Sequence, residues 1–264
     1  MRRPLNYGWR LGVTGLSFAA FGLCGLAFSA LLPVVRLFLS REKVRRINLW
    51  LIHQFFRALV RVLRIAGVMR VDLRDAEKLG GAGHIVVANH PTYLDVFVLL
   101  SVIPEACCVV KRFHWSNPCL WGIVRAAGYI SNDDDAVLVN KSAERLRKGR
   151  PLIICPESTR SPPSGGLHSF SRSFAHIALR SGRPIQPVLI ACHPPVFAKG
   201  QRWYRIPERP FEIRVAPLKL INPSAEPANG STQAEKVSPI AARSLTSATR
   251  EYIQQQLVAY GFSY

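Results

Sequence analysis

The chain has 264 residues, 48% of them hydrophobic, and its 35 lysines and arginines against 16 acidic residues give a formal net charge of +19. This length and composition fit one substantial α/β core with a small appendage. The basic excess indicates a polyanionic partner, either an anionic membrane surface or nucleic acid. Nucleic acid is the weaker alternative, because the chain has no zinc-finger spacing, no aromatic-rich RNA-binding signature and no separate basic tail. We therefore predict no nucleic-acid partner.

The six cysteines form no CxxC pair and have no metal-ligand spacing with histidine. Most of them lie in apolar runs, which favours buried free thiols in a reducing compartment over a disulfide framework. We predict no metal site.

An uncharged apolar segment covers residues 11–35. It is long enough to cross a bilayer, which takes about 20 residues. Gly22 and Gly25 leave open a break or shallow hairpin in place of a straight span. More basic residues follow the segment than precede it, so the positive-inside rule places the following domain on the cytoplasmic side of an inner (cytoplasmic) membrane.

The next segment, residues 44–66, has its basic residues on one side of a helix. They fall within an arc of about 80° when each residue turns about 100°, and they are Arg46, His53, Arg57, Arg61 and Arg64. Apolar residues fill most of the remaining circumference. The pattern predicts an amphipathic helix in the lipid headgroup region. The alternative is a core helix with a solvated basic stripe.

From about residue 68, short β-type runs alternate with helical stretches. The predicted strands are 69–73, 84–88, 106–110, 151–155, 185–191 and 211–215, and the predicted helices are 94–103, 118–127, 140–147 and 170–180. This alternation predicts an α/β fold with a mostly parallel sheet flanked by helices. We expect three parts: membrane-anchoring helices at 1–67, a catalytic domain at 68–221, and a linker with a C-terminal helix at 222–264.

His90 and Asp95 lie where an apolar strand gives way to a helix. On one continuous helix, side chains five positions apart point about 140° away from each other. The two can therefore meet only if His90 precedes the helix, and Pro91 favours this because it pushes the preceding residue toward an extended conformation. A neutral imidazole backed by a carboxylate can remove a proton from an alcohol. Alternatively, Thr92 and Asp95 form a capping box and Asp95 only satisfies backbone amides.

A second polar group follows the apolar run at 151–155. Arg160 lies on a loop past this predicted strand, where its forked guanidinium is well placed for a phosphate. Glu157 is expected to orient that fork or to contact an acceptor hydroxyl. The alternative is a structural Glu157–Arg160 pair that pins the loop. Ser158 is not predicted to be a nucleophile, because no Gly-x-Ser-x-Gly elbow surrounds it.

Four ordered blocks resemble the glycerophospholipid acyltransferase superfamily, which includes the lysophospholipid and 1-acylglycerol-3-phosphate acyltransferases. The blocks are Asn89-His90 with Asp95, then Lys111-Arg112-Phe113 through Pro118, then Pro156-Glu157 with Thr159-Arg160, and finally residues 184–188. The resemblance covers residues 84–191. It implies a glycerol-3-phosphate acyltransferase-like fold and acyl transfer from a thioester, acyl-CoA or acyl carrier protein, to a hydroxyl of a lipid acceptor.

The resemblance also implies roles for individual residues. His90 and Asp95 would be catalytic, and the substrate-binding residues would be Lys111, Arg112, Glu157, Ser158, Thr159 and Arg160. Backbone amides at 92–94 are candidates for stabilising the oxyanion. No cofactor is expected beyond the thioester co-substrate. The partners expected are membrane lipids, the acyl donor and the lipid acceptor.

The sequence departs from the family pattern twice. Ser158 replaces a glycine, so we expect this loop to be less free to adopt positive φ. Asp133 to Asp135 lie where the family usually has an arginine thought to help hold the acceptor phosphate. These departures keep a different acceptor headgroup open, and also a second hypothesis: a catalytically inactive membrane-associated module that binds lipid or a carrier protein. Thiol release without any acceptor would instead indicate a thioesterase.

Overall fold

A seven-stranded sheet forms the centre of the molecule. The computed structural model describes residues 2–80, 83–162, 165–223 and 238–260. The strands are β1 (Met69–Asp72), β2 (Ile85–Ala88), β3 (Cys107–Val110), β4 (Ile130–Ser131), β5 (Leu152–Ile154), β6 (Ile185–His193) and β7 (Phe211–Pro217). Their order is β1-β7-β6-β2-β5-β3-β4. Every neighbouring pair is parallel except β6 and β7, which are antiparallel. The predicted mostly parallel sheet is confirmed.

Helices surround this sheet. After the two N-terminal helices α1 (Arg2–Phe38) and α2 (Arg41–Ile65) come α3 (Asp95–Val102), α4 (Phe113–Ser116), α5 (Trp121–Ala127), α6 (Asp135–Arg147), α7 (Ser173–Ser181) and α8 (Pro239–Ala259). A 3₁₀ turn covers Ala76–Gly80. All residues of β2 and β5 are buried. Their unbroken apolar sequences fit central strands of a parallel sheet, which are covered on both faces.

Among the elements that differ from the sequence expectation are α6 and β4. Helix α6 begins at Asp135 and not at residue 140, because Asp134 caps it: the Asp134 carboxylate accepts a hydrogen bond of 3.0 Å from the Val137 amide. The acidic run at residues 133–135 therefore forms the start of helix α6. Strand β4 was not predicted, because its two residues are too few to show a periodic pattern.

Helix α1 is continuous, so the break left open at Gly22 and Gly25 does not occur. Its part Asn6–Phe38 is long and apolar enough to cross a membrane. Gly25 instead allows α1 to approach the segment just before α5 closely, since a Cβ there would lie 2.0 Å from the Cys119 carbonyl oxygen. On the facing helix, the Gly122 amide donates to the Ser29 hydroxyl at 2.9 Å. One side of α1 is therefore packed on the folded body.

Helix α2 has three kinds of surface. One face is buried against the core and includes Ile52, Phe56, Val60 and Leu63. The basic stripe is largely solvent-exposed, with Arg46, Arg57, Arg61 and Arg64 all classed as exposed. A third stripe exposes large apolar side chains, namely Ile47, Trp50, Leu51, Val62 and Ile65. The buried face of α2 agrees with the core-helix alternative, and the exposed apolar stripe suits a membrane interface, which stays a prediction.

The C-terminal part contains α8, at the place where a helix was expected. Ile253 and Leu257 are buried in the main core. Most of the expected linker lies outside the described residues. The division into 1–67, 68–221 and 222–264 stays a prediction.

Candidate active site

A cavity of about 980 Å³ opens at the carboxyl ends of the central strands. This is the edge at which open α/β sheets place their ligands. Apolar side chains from α1, α2, α3 and α5 form one wall, and they include Phe21, Phe55, Phe97, Leu100 and Ile123. Polar side chains also line the cavity, and six of them, called here the polar wall, are His90, Lys111, Ser158, Thr159, Arg160 and Lys199. The volume lies at the upper end of the range of about 300–1,000 Å³ common for ligand pockets.

His90 and Asp95 meet as the spacing predicts. His90 lies in the turn after β2, and Asp95 is the first residue of α3. The His90 Nδ1 atom lies 3.0 Å from Asp95 Oδ2. The His90 side chain is 21% exposed and lines the cavity, whereas the Asp95 side chain is fully buried. Because Asp95 occupies Nδ1, Nε2 is the ring nitrogen available to a substrate.

Asp95 also performs the capping role that was the alternative. Its Oδ2 atom accepts a 2.7 Å hydrogen bond from the Thr92 amide. The two interpretations are therefore compatible: the same oxygen fixes the turn and holds the imidazole. Burial raises the pKa of the Asp95 carboxyl, partly opposed by the hydrogen bond from His90. Its other oxygen, Oδ1, has no hydrogen-bond partner within the described residues.

Asn89 fixes the strand end that carries His90. Its side-chain Nδ2 donates to the Ile190 carbonyl at 2.8 Å, and its Oδ1 accepts from the Ile190 amide at 2.7 Å. The amide side chain thus continues the pairing of β2 with β6 by one step. This contact explains why an asparagine precedes the histidine.

Glu157 joins the His90 turn to the loop after β5. Its Oε1 accepts from the Ser161 hydroxyl at 2.5 Å and from the His90 amide at 3.3 Å, and its Oε2 accepts from the His168 amide at 2.9 Å. Glu157 is only 5% exposed. This geometry favours a positioning role through Ser161 and not through a pair with Arg160. The assignment of Glu157 to substrate binding stays a prediction.

Arg160 is held by backbone carbonyls. Its Nη1 donates to the Phe197 carbonyl at 2.7 Å and to the Ala198 carbonyl at 3.0 Å. Its guanidinium also lies over the Tyr93 ring, 5.2 Å from the centroid. Nε and Nη2 have no hydrogen-bond partner among the residues that the structure describes. These two nitrogens form the fork that suits an anion.

Ser158 adopts φ = 53°, in the left-handed region, although its Cβ makes this conformation less favourable than it is for the glycine of the family pattern. The hydrogen-bond network of the neighbouring Glu157 holds the loop at both ends and imposes the conformation despite the Cβ. Ser158 and Thr159 both line the cavity, and Ser158 is exposed there. Their substrate-binding role stays a prediction.

The predicted basic residues separate in space. Lys111 lines the cavity, whereas Arg112 is 82% exposed and lies 3.8 Å from Asp133. Lys199, on the loop after β6, lines the cavity and was missed. Its only sequence signal is its position past a strand end. Ser161 was also missed, although it directly follows Arg160.

The expected oxyanion donors are mostly occupied. The Thr92 amide donates to Asp95, and the Leu94 amide donates to the Thr92 hydroxyl at 3.1 Å. These two amides are therefore not free for an oxyanion in this conformation. A further neighbour, Cys155, lines the cavity, but burial, with the nearby Asp95 and Glu157 charges, raises the pKa of its thiol. A neutral thiol is a poor nucleophile. Within the described ranges, no cluster of three or more His, Cys, Asp or Glu side chains is placed to hold a metal.

Comparison with known proteins agrees with this geometry. Residues 70–191 match a family model described as Acyltransferase. The 1-acyl-sn-glycerol-3-phosphate acyltransferase alpha of Mus musculus is 25% identical over 157 residues, 56% of this chain and 54% of that protein. The 1-acyl-sn-glycerol-3-phosphate acyltransferase of Limnanthes douglasii is 32% identical over 158 residues, 55% of this chain and 54% of that protein. The chain thus spans about half the length of the curated relatives it matches.

A solved structure resembles the whole chain. The crystal structure of the 1-acyl-sn-glycerophosphate (LPA) acyltransferase PlsC from Thermotoga maritima superposes with a TM-score of 0.68 and covers 98% of each chain. The sequences are 22% identical. This likeness is one of fold, and it extends to the N-terminal helices that the family model does not cover.

Proposed function

We propose that this chain is a member of the glycerophospholipid acyltransferase superfamily and that it transfers an acyl group from a thioester to a hydroxyl of a lysophospholipid-like acceptor. The observation that carries the proposal is the contact between His90 Nδ1 and the buried carboxylate of Asp95 at the wall of the cavity. The contact fixes the imidazole tautomer, so that Nε2 is left to act as a general base.

The chemical steps follow from that tautomer. His90 Nε2 takes the proton of the acceptor hydroxyl, and Asp95 stabilises the imidazolium that forms. The acceptor oxygen attacks the thioester carbonyl, the carbon–sulfur bond then breaks, and the thiolate takes the proton from the imidazolium. A thiol with an ordinary pKa of about 8.5 leaves without strong acid assistance. The co-substrate is acyl-CoA or acyl carrier protein, and the steps require no further cofactor.

The two walls of the cavity suit the two parts of a lipid substrate. The aromatic and aliphatic side chains from α1, α2 and α3 provide an apolar surface for an acyl chain. Lys111, Arg160 and Lys199 provide positive charge for a phosphate of the acceptor or donor. Lys199 supplies a cation that the acidic run at 133–135 does not.

We further propose that the protein is bound to a membrane through α1 and α2. Helix α1 exposes large apolar side chains along much of its length, among them Leu16, Leu23, Leu31, Leu37 and Phe38. The exposed arginines of α2 lie beside its own exposed apolar stripe. Because α1 also packs on α5, its exposed side is placed to enter the lipid while the other side stays on the protein. The cytoplasmic face of the inner membrane remains the proposed location.

The test supplies the purified protein, in vesicles of phosphatidylcholine and phosphatidylglycerol, with palmitoyl-CoA or palmitoyl-acyl carrier protein. The acceptors are 1-oleoyl-glycerol-3-phosphate, 1-oleoyl-glycerophosphocholine and monooleoylglycerol. Thiol release is followed, and mass spectrometry identifies the product. We expect release that depends on an acceptor, with a new ester. Release without any acceptor would indicate a thioesterase, and no release with any pair would favour the binding module.

A further inference from the structure

The loop between β6 and β7 forms part of the positively charged wall. Phe197 and Ala198 supply the two carbonyls that hold Arg160, and the next residue, Lys199, lines the cavity. The orientation of the Arg160 fork therefore depends on the path of this loop. Any group that fixes the loop also fixes the direction of the free nitrogens of Arg160.

The two carbonyls converge on one nitrogen because of the backbone at Phe197. This residue has φ = 53°, in the left-handed region, although it carries a bulky side chain. Such a conformation is unfavourable for a residue with a Cβ and persists only where the surroundings impose it. Phe197 is 4% exposed, so the contacts of its buried ring can impose this backbone conformation.

The Phe197 ring lies between two other aromatic rings. Phe18 of α1 meets it edge to face, with ring centroids 5.6 Å apart and planes at 86°. Phe211 of β7 meets it at 6.1 Å and 87°. Farther along the loop, Trp203 contacts Phe18 with centroids 6.3 Å apart. A β-strand and the apolar N-terminal helix thus hold the loop together.

We propose that Phe18 and Phe197 are positioning residues for Arg160, so that the packing of α1 against the loop between β6 and β7 determines how tightly the site binds a phosphate. The proposal rests on the proposed function, and of its two phosphates it assigns that of the acceptor to Arg160. It gives the N-terminal helix a second role beside lipid attachment. A displaced α1 releases Phe197, the carbonyls diverge, and the Arg160 fork loses its direction.

The test compares F18A with F18L and with G12A, a change on the same helix at a position where an added Cβ meets nothing within 4 Å. We expect F18A to raise KM for 1-oleoyl-glycerol-3-phosphate about tenfold, because Phe197 loses the ring that contacts it edge to face. KM for monooleoylglycerol and kcat for both acceptors should change less than about twofold. F18L, which keeps much of the bulk, should fall between F18A and the wild type, and G12A should match the wild type.

A double-mutant cycle separates positioning from general damage. If Phe18 acts through Arg160, F18A should change KM less than about twofold in an R160A background. An equal effect of F18A with and without Arg160, or an equal rise of KM for both acceptors, would overturn the proposal. F197G permits the same φ without the ring and should reproduce F18A.

Binding of 1-oleoyl-glycerol-3-phosphate without a donor, measured calorimetrically in detergent, keeps the two proposals apart. If the wild type binds this lipid but releases thiol with none of the three acceptors, acyl transfer fails while the coupling is still tested by the affinities of F18A and F18A/R160A. If the wild type turns over and F18A binds as tightly as the wild type, the coupling fails and the function stands. If the wild type does not bind this lipid but turns over another acceptor, the coupling fails and the function stands; if it binds this lipid with no measurable affinity and turns over no acceptor, both fail.

Discussion

The two ends of the polar wall of the cavity are built differently. At the catalytic end, His90 and Asp95 are five positions apart, and one turn with one helix start places them. At the phosphate-binding end, Arg160 is held by carbonyls 37 and 38 positions further along the chain, and a ring from the N-terminal helix holds that segment. The first end is therefore fixed by contacts between residues close in sequence, and the second by contacts between distant segments of the chain. Changes in the N-terminal helix should therefore disturb the second end and leave the first intact.

The largest expected effect is at the local end. D95N should lower the rate of acyl transfer about 10²- to 10⁴-fold, because the imidazole loses the carboxylate that fixes its tautomer. Kinetics in vesicles, with KM for the acceptor nearly unchanged, would check this. A variant within about threefold of the wild-type rate would remove Asp95 from the mechanism.

The same variant should also change how the free energy of unfolding depends on pH. Because burial raises the pKa of the Asp95 carboxyl, the folded state holds its proton more tightly than the unfolded state does. The contribution of Asp95 to the free energy of unfolding should therefore fall as pH rises from the unfolded pKa of about 3.9 through the raised folded pKa. D95N should lack this fall. Denaturation in detergent across this pH range measures the difference, and parallel curves would contradict it.

These two ends also differ in what the sequence predicts. The strands at 84–88 and 151–155 and the His90–Asp95 contact follow from short-range patterns: apolar runs, a proline and a five-residue spacing. The contacts of Arg160 with residues 197 and 198 carry no local signal, because a backbone carbonyl can belong to any residue type. Lys199 was missed because its position past a strand end is its only sequence signal. The positive φ of Ser158 could not be predicted from the sequence, because tertiary hydrogen bonds outweigh the local preference there.

Glu157 links the two ends, and E157Q tests that link. An amide in place of the carboxylate puts an NH₂ group against the His168 amide or against the donors from Ser161 and His90. We expect a loss of about 1–3 kcal/mol in the free energy of unfolding, from one unsatisfied buried group. Thermal unfolding measures it. E251Q, at an exposed position on α8, is the control and should stay within about 0.5 kcal/mol of the wild type.

Two glycines of α1 allow a matched test of how this helix packs on the rest of the protein. G25A places a Cβ 2.0 Å from the Cys119 carbonyl oxygen, whereas a Cβ at Gly12 meets nothing within 4 Å. G25A should destabilise the protein by about 1–3 kcal/mol through overpacking. G12A should be neutral or slightly stabilising. Equal stability of the two variants in chemical denaturation would show that α1 does not pack on α5 as described.

The smallest effect is expected at Ser158. Its φ of 53° is unfavourable for a residue with a Cβ, so S158G should raise the free energy of unfolding by about 1 kcal/mol. The melting temperature should rise by a few degrees, with acyl transfer retained. A lower melting temperature would mean that the serine side chain contributes more than its backbone strain removes.

The most direct test of the general-base mechanism is a single-turnover measurement with H90A. The protein is mixed with a limiting amount of palmitoyl-CoA or palmitoyl-acyl carrier protein, whichever the wild type uses, together with its acceptor, and thiol release is timed. H176A, at a half-buried histidine that does not line the cavity, is the control. We predict that H90A loses at least about 100-fold in acceptor-dependent thiol release while it still sediments with vesicles, and that H176A matches the wild type. A folded, vesicle-bound H90A that releases thiol within about threefold of the wild-type rate would contradict the mechanism.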